Sequence, residues 1–271
     1  MRIGLLGNSH AGMLIQAVES AAPEGLELSC LVQTGPGPDR LRREGTRLVA
    51  EDPDLIRFLD RAGLARELDL AACDTVVMVG MTLAIRFAAL LMRPHTIAGW
   101  PSAETVSAQL DARRRPADLT PISRPAALAA LAARAEDMAL HRLIALVREA
   151  SDLPILIVPQ PHPSADALDS TGEGTASLQH LHSRGDGPAL AQLLDEALTR
   201  YAGQFDRVHL VPRPLDTIRD GFLTDAAFMR GSQRLLGDGE HVAHDVFHAN
   251  AEYGRQQLSL LTGEMTKVLS R

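Results

Sequence analysis

A serine, a histidine and an aspartate stand in two short blocks at opposite ends of the chain. Gly7-Asn8-Ser9-His10-Ala11-Gly12 directly follows the apolar run Ile3-Gly4-Leu5-Leu6, and Asp245-Val246-Phe247-His248-Ala249-Asn250 lies close to the C-terminus. A serine hydroxyl attacks acyl carbon poorly at neutral pH unless an imidazole takes its proton. The imidazole in turn needs a carboxylate to hold its tautomer and to stabilise its charged form. Asp245 and His248 supply both from one short segment. The chemistry expected of these residues is acyl transfer, with Ser9 as nucleophile, His248 as base and Asp245 as its orienting acid.

Such a set works only if the intervening chain brings its members together. An apolar strand that breaks at a glycine and enters a helix leaves the residue between them on a tight turn at the carboxyl edge of the sheet. Open α/β sheets bind their ligands at that edge. Runs rich in Val, Ile and Leu at about 2–6, 26–33, 75–79, 154–158 and 207–211 read as strands buried on both faces. Amphipathic stretches at 10–21, 54–68, 126–150, 188–201 and 250–269 read as the helices between and after them, with 126–150 one long Ala/Leu-rich helix. The alternation predicts an α/β fold with a five-stranded parallel sheet and helices on both faces. Two segments fit less well. Residues 103–125, with Arg113-Arg114-Arg115-Pro116, read as a surface excursion or part of a lid, and the proline-rich 159–188 as a long loop over the active edge. No internal repeat appears, so one domain over 1–271 is expected.

Composition narrows the partners. Aromatic residues make up only 3% of the 271 residues and the net charge is −7, which argues against a nucleic-acid surface or an aromatic sugar platform. No apolar run approaches a membrane span, and the run before Gly7 is shorter than the core of a signal peptide. Cys30 and Cys73 match no metal or redox spacing and read as buried reduced thiols. The cytoplasm is the expected compartment.

Together the two end blocks resemble those of the SGNH/GDSL hydrolase superfamily, whose members carry the nucleophile in an N-terminal Gly-Asp-Ser block and the acid and base in a C-terminal Asp-x-x-His block. The resemblance implies a three-layer, flavodoxin-like sandwich and a triad of Ser9, Asp245 and His248. Here Asn8 replaces the family's aspartate, keeping size and turn preference but losing charge. The family's middle glycine, a backbone N–H donor, is matched by Gly35 or Gly37 in Thr34-Gly35-Pro36-Gly37-Pro38. Its oxyanion asparagine is not: Gly80-Met81-Thr82-Leu83 stands where Gly-x-Asn-Asp is usual, so Thr82 takes the asparagine's place. Gln160 and His162 follow the fourth strand and are candidates for substrate contact or for the missing donor. The Gly-x-Ser-His-Ala form is similar to that of SGNH domains attached to membrane acyltransferases that O-acylate surface polysaccharides. That likeness makes His10 a candidate substrate contact and points to acyl esters of sugars or other small alcohols.

A metal reading competes for the second block. His241, His244 and His248 with Asp245 could gather an ion, but Gly237-Asp238-Gly239 before them reads as loop, where such ligands want helices. His180 and His182 fall in the expected loop and read as solvated. The first βα turn lacks the glycine spacing of a dinucleotide site. No metal or cofactor is expected. A hydrolase cleaving an ester through an acyl-enzyme is the first expectation. An O-acyltransferase with the same triad, or a non-catalytic protein retaining the pocket, remains open.

Overall fold

Five short, apolar strands pair into one parallel sheet: β1 (Arg2–Gly7), β2 (Glu27–Val32), β3 (Thr75–Val79), β4 (Ile155–Val158) and β5 (Val208–Leu210), in the order β2-β1-β3-β4-β5. This is the flavodoxin-like order, with its reversal between β1 and β3. The computed structural model describes residues 1–21, 25–38, 40–112, 119–172, 174–235 and 239–270. Every side chain of β3 and β4 is buried, as continuous apolar runs covered on both faces should be.

The helices described are α1 (Ala11–Ala21), α2 (Pro53–Ala62), α3 (Ile85–Met92), α4 (Pro101–Asp111), α5 (Arg124–Glu136), α6 (Ala139–Ala150), α7 (Ala176–Ser183), α8 (Gly187–Ala202) and α9 (Ala251–Leu269). Side chains alternate across the sheet. Ile3, Leu5, Val77, Val79, Leu156 and Val158 pack with α1 and α9 on one face. Leu6, Val76, Met78, Ile155 and Ile157 pack with α2 and α6 on the other. A third apolar cluster joins α3, α5, α7 and α8 at the flank. Among the described residues no helix is long and apolar enough to cross a membrane.

The pairing of α1 with α9 joins the two ends of the chain. Their backbones meet so closely at Gly254 that a Cβ there would lie under 3.0 Å from the Met13 carbonyl. A backbone group cannot swing aside as a side-chain tip can. Gly254→Ala is therefore expected to destabilise the fold by ~1–3 kcal/mol, as overpacking does, and thermal unfolding monitored by circular dichroism measures it.

Several expectations need correction. The stretch 126–150 is two helices, not one: the chain is extended at Met138, after Asp137 ends α5. The halves bury into different cores, Leu128 and Leu131 at the flank and Leu140, Leu143, Ile144 and Val147 against the sheet. A single straight stripe cannot serve both. The helix expected over 54–68 stops at Ala62 and turns at Gly63, and Glu67–Asp69 is a strand in a three-stranded antiparallel sheet with Leu41–Glu44 and Arg47–Ala50. Pro53 in its first turn and the Asp52 cap fix its start.

The excursion expected over 103–125 is partly regular: α4 covers its beginning, and Thr120–Ile122 pairs in parallel with His95–Ile97. The Arg113-Arg114-Arg115-Pro116 run lies outside the described residues, as do Gly237 and Asp238. Nor is 159–188 simply a loop. It begins with a buried stretch, Gln160 to Ser164, and carries α7, so His180 and His182 sit on a helix. Cys30 is half-buried and Cys73 buried, both as free thiols; burial pushes Cys30 up to about 11 and raises Cys73 as well.

Candidate active site

The carboxyl ends of β1, β2, β3 and β4 converge on a cavity of about 660 Å3 whose walls include Ser9, Gly35, Thr82, Gln160 and His248. Ser9 follows β1 at the reversal of strand order, the usual place for a site in this architecture. Asn8 shapes the turn: its N–H donates to the Val79 carbonyl at 3.2 Å, and its Oδ1 accepts from the His10 N–H at 3.1 Å. Among the described residues the Ser9 N–H has no protein acceptor.

The second block arrives from the far end of the chain, where Asn250 caps α9 by accepting from the N–H groups of Glu252 and Tyr253. Its Nδ2 donates to the carbonyls of Ala227 and Arg230, so the segment carrying His248 is tied down on both sides. Asp245 Oδ1 accepts from the N–H of Phe247 at 2.7 Å and of His248 at 3.0 Å. Its Oδ2 lies 2.8 Å from His248 Nδ1, and His248 Nε2 lies 2.9 Å from Ser9 Oγ, across 239 positions of sequence. With Nδ1–H donating to the carboxylate, Nε2 is left to accept the serine proton.

Electrostatics favour that tautomer. Burial pushes the Asp245 carboxyl up, but hydrogen bonds from His248 Nδ1 and from the N–H groups of Phe247 and His248 outweigh it and hold the carboxyl well below the usual range. Burial, reinforced by His248 and Arg86, brings His10 down to about 3, so its ring is neutral. His10 is stacked against His248 with centroids 5.0 Å apart. It lines the cavity, where the sequence placed it.

The remaining candidates divide. Gly35 lines the cavity, while a Cβ on Gly37 would lie under 3.0 Å from Met81 Sδ, so Gly37 lets the loop after β2 close onto the loop after β3. Gly80 is left-handed at φ 66, and a Cβ there would strike the Asn8 carboxamide. Only glycine meets both conditions at low cost. Met81, next to it, is also left-handed at φ 58, a strain tolerated where surrounding packing dictates the path. Thr82 does not present its hydroxyl as a free donor: Oγ1 donates to Gln160 Oε1 at 2.7 Å, and Gln160 Nε2 donates back to the Thr82 carbonyl at 3.0 Å.

His162 is misplaced by the sequence reading. It is 3% exposed and faces a separate cavity of about 390 Å3 that it shares with Arg213 and Asp195. Pro161 and Pro163 on either side of it line the Ser9 cavity instead, as does Gln160.

Arg86 and Phe247 were missed. Arg86 lies over the rings of Phe87 and Phe247, 4.5 and 4.7 Å from their centroids, and all three line the cavity. The available signal was position: α3 begins directly after the Gly80 block, so its first residues face the same edge.

No protein-family model matches the sequence, and no curated protein matches it significantly. Among solved structures it is similar to a carbohydrate acetylesterase family member from Sinorhizobium meliloti, at 13% identity and TM-score 0.41, over 100% of this chain and 99% of that one. It is also similar to phospholipase A1 from Streptomyces albidoflavus, at 10% identity and TM-score 0.41, over 97% and 98% of the two chains. A putative acylhydrolase from Bacteroides fragilis matches at 12% identity and TM-score 0.38, over 99% and 88%. Likenesses this loose leave the chemistry to the site's own geometry.

That geometry also bears on a metal. One ligand atom from each of His241, Asp245 and His248 lies within 4.8 Å of the others. The His241 and His248 rings, however, are stacked 4.0 Å apart with planes only 7° from parallel. An imidazole lone pair lies in its ring plane, so one ion cannot meet both rings without a rotation that breaks the stack. Their Nδ1 atoms instead face one carboxylate oxygen, at 3.2 Å from His241 and 2.8 Å from His248.

Proposed function

We propose that the protein is a serine-dependent ester hydrolase of the SGNH type, acting through an acyl-enzyme on an acyl ester of a sugar or other small alcohol. The continuous relay from Ser9 Oγ through His248 to Asp245, with contacts of 2.9 and 2.8 Å, carries this reading. Ser9 Oγ bonds to the acyl carbon as its proton passes to His248 Nε2. The imidazolium returns that proton to the departing alkoxide as the ester C–O bond breaks. Water then repeats the sequence on the acyl-enzyme, giving a carboxylic acid and restoring the serine. The sugar-ester assignment rests on the Gly-x-Ser-His-Ala form of the first block. An organophosphonate is expected to label the wild-type protein and not Ser9→Ala; equal labelling of both, or of neither, overturns the reading.

The tetrahedral oxyanion needs donors. The Ser9 N–H supplies one. The Gln160 carboxamide is the second donor of the proposal, replacing the asparagine absent from the Gly80 block: it lines the cavity, and its Nε2 carries a further N–H beyond the one given to Thr82. Gln160→Leu should lower kcat by ~10²- to 10³-fold with KM little changed, the usual cost of losing one oxyanion donor. Steady-state hydrolysis of a small acetyl ester measures it.

A further inference from the structure

Three imidazoles gather at the site, and only His248 belongs to the relay. His241 covers one face of His248 with centroids 4.0 Å apart and planes 7° from parallel, while His10 stacks at 5.0 Å and 26°.

The hydrogen bond to Asp245 fixes one point of the His248 ring and leaves it able to tilt about that contact. A flat neighbour on its face removes the tilt. We propose that His241 is a positioning residue for the base, its stacked ring holding the His248 plane so that Nε2 stays on Ser9 Oγ during proton transfer. This rests on the triad reading above.

His241 is well placed to act as a fixed wall. Its N–H donates to the Ser232 carbonyl at 2.8 Å, and the neighbouring Glu240 pairs with Gln233. Its Nδ1 approaches Asp245 Oδ2 at 3.2 Å, farther than His248 does. The ring face, not that nitrogen, is the operative contact.

The charge state of His241 matters as well. Burial, then His248, lowers its pKa from 6.5; Asp245 opposes the shift and Arg234 adds to it. The other facing groups are His10, neutral at working pH, and Arg86, which acts on His10. A neutral His241 presents a π face to the imidazolium that forms on His248, which is attractive. Once protonated, it repels that imidazolium and competes for the Asp245 carboxylate. As pH falls, protonation of His241 therefore costs activity, and the lowering of its pKa holds that loss below the ordinary histidine range.

The test compares wild type, His241→Ala and His241→Phe by ester hydrolysis across pH and by organophosphonate labelling rate. His241→Ala is expected to lower kcat by about tenfold or more with KM unchanged, a fraction of what general base catalysis supplies. His241→Phe, which keeps a flat ring, should recover most of that loss. It should also retain more of its activity than wild type as pH falls, since the ring that protonates there is gone. Circular dichroism on both variants separates misfolding from misplacement.

Wild-type rate and profile in His241→Ala would overturn the proposal. Equal impairment of folded Ala and Phe variants would overturn it too, because a nitrogen and not the ring would then be needed. Wild-type protein that fails to label at Ser9 would instead remove the triad itself.

Discussion

Ser9→Ala is expected to reduce kcat for ester hydrolysis by ~10⁴- to 10⁶-fold while leaving the fold intact, since removal of a serine nucleophile costs about that much elsewhere. Among the described residues the side chain makes one polar contact, with His248 Nε2. The turn around it is held by main-chain bonds and by Asn8, not by the hydroxyl. The variant should therefore unfold at the wild-type temperature and still bind substrate. Initial-rate kinetics with calorimetry on the same preparation checks both. A residual rate above this range would point to a water attacking without the acyl-enzyme.

Asp245→Asn should cost ~10⁴-fold in kcat, through the tautomer of His248. An amide turned toward Nδ1 donates where the carboxylate accepted. The imidazole must then carry its proton on Nε2, facing Ser9 Oγ, where it cannot take another. The same substitution should alter acid stability. The folded carboxyl titrates well below its ordinary value, so its contribution is fully present above that ordinary value. It is lost as pH falls through the depressed folded one. Unfolding curves of wild type and Asp245→Asn, measured downward through the acid range, should therefore converge. Parallel curves would mean that Asp245 titrates alike in the folded and unfolded chain.

The parallel strands were legible because burial on both faces forces continuous Val, Ile and Leu runs, and β1, β3 and β4 are such runs. Helix ends and breaks were less so. The division between α5 and α6 depends on which core each half meets, and an Ala/Leu-rich stretch offers apolar faces to either.

Sequence alone determined the order in which the candidate residues enter the sheet edge: a serine turn after the first strand, a glycine block after the third, and an Asp–His pair before the last helix. Local chemistry decides these, because a glycine break, a cap or a three-residue Asp–His spacing needs no distant partner. Only the tertiary structure decided which side chains share the cavity. It sent His162 to the far side between two cavity-lining prolines, locked Thr82 onto Gln160, and laid His241 flat on His248. Each outcome turns on side-chain direction and on contacts between segments far apart in the chain, which residue types and spacing do not encode.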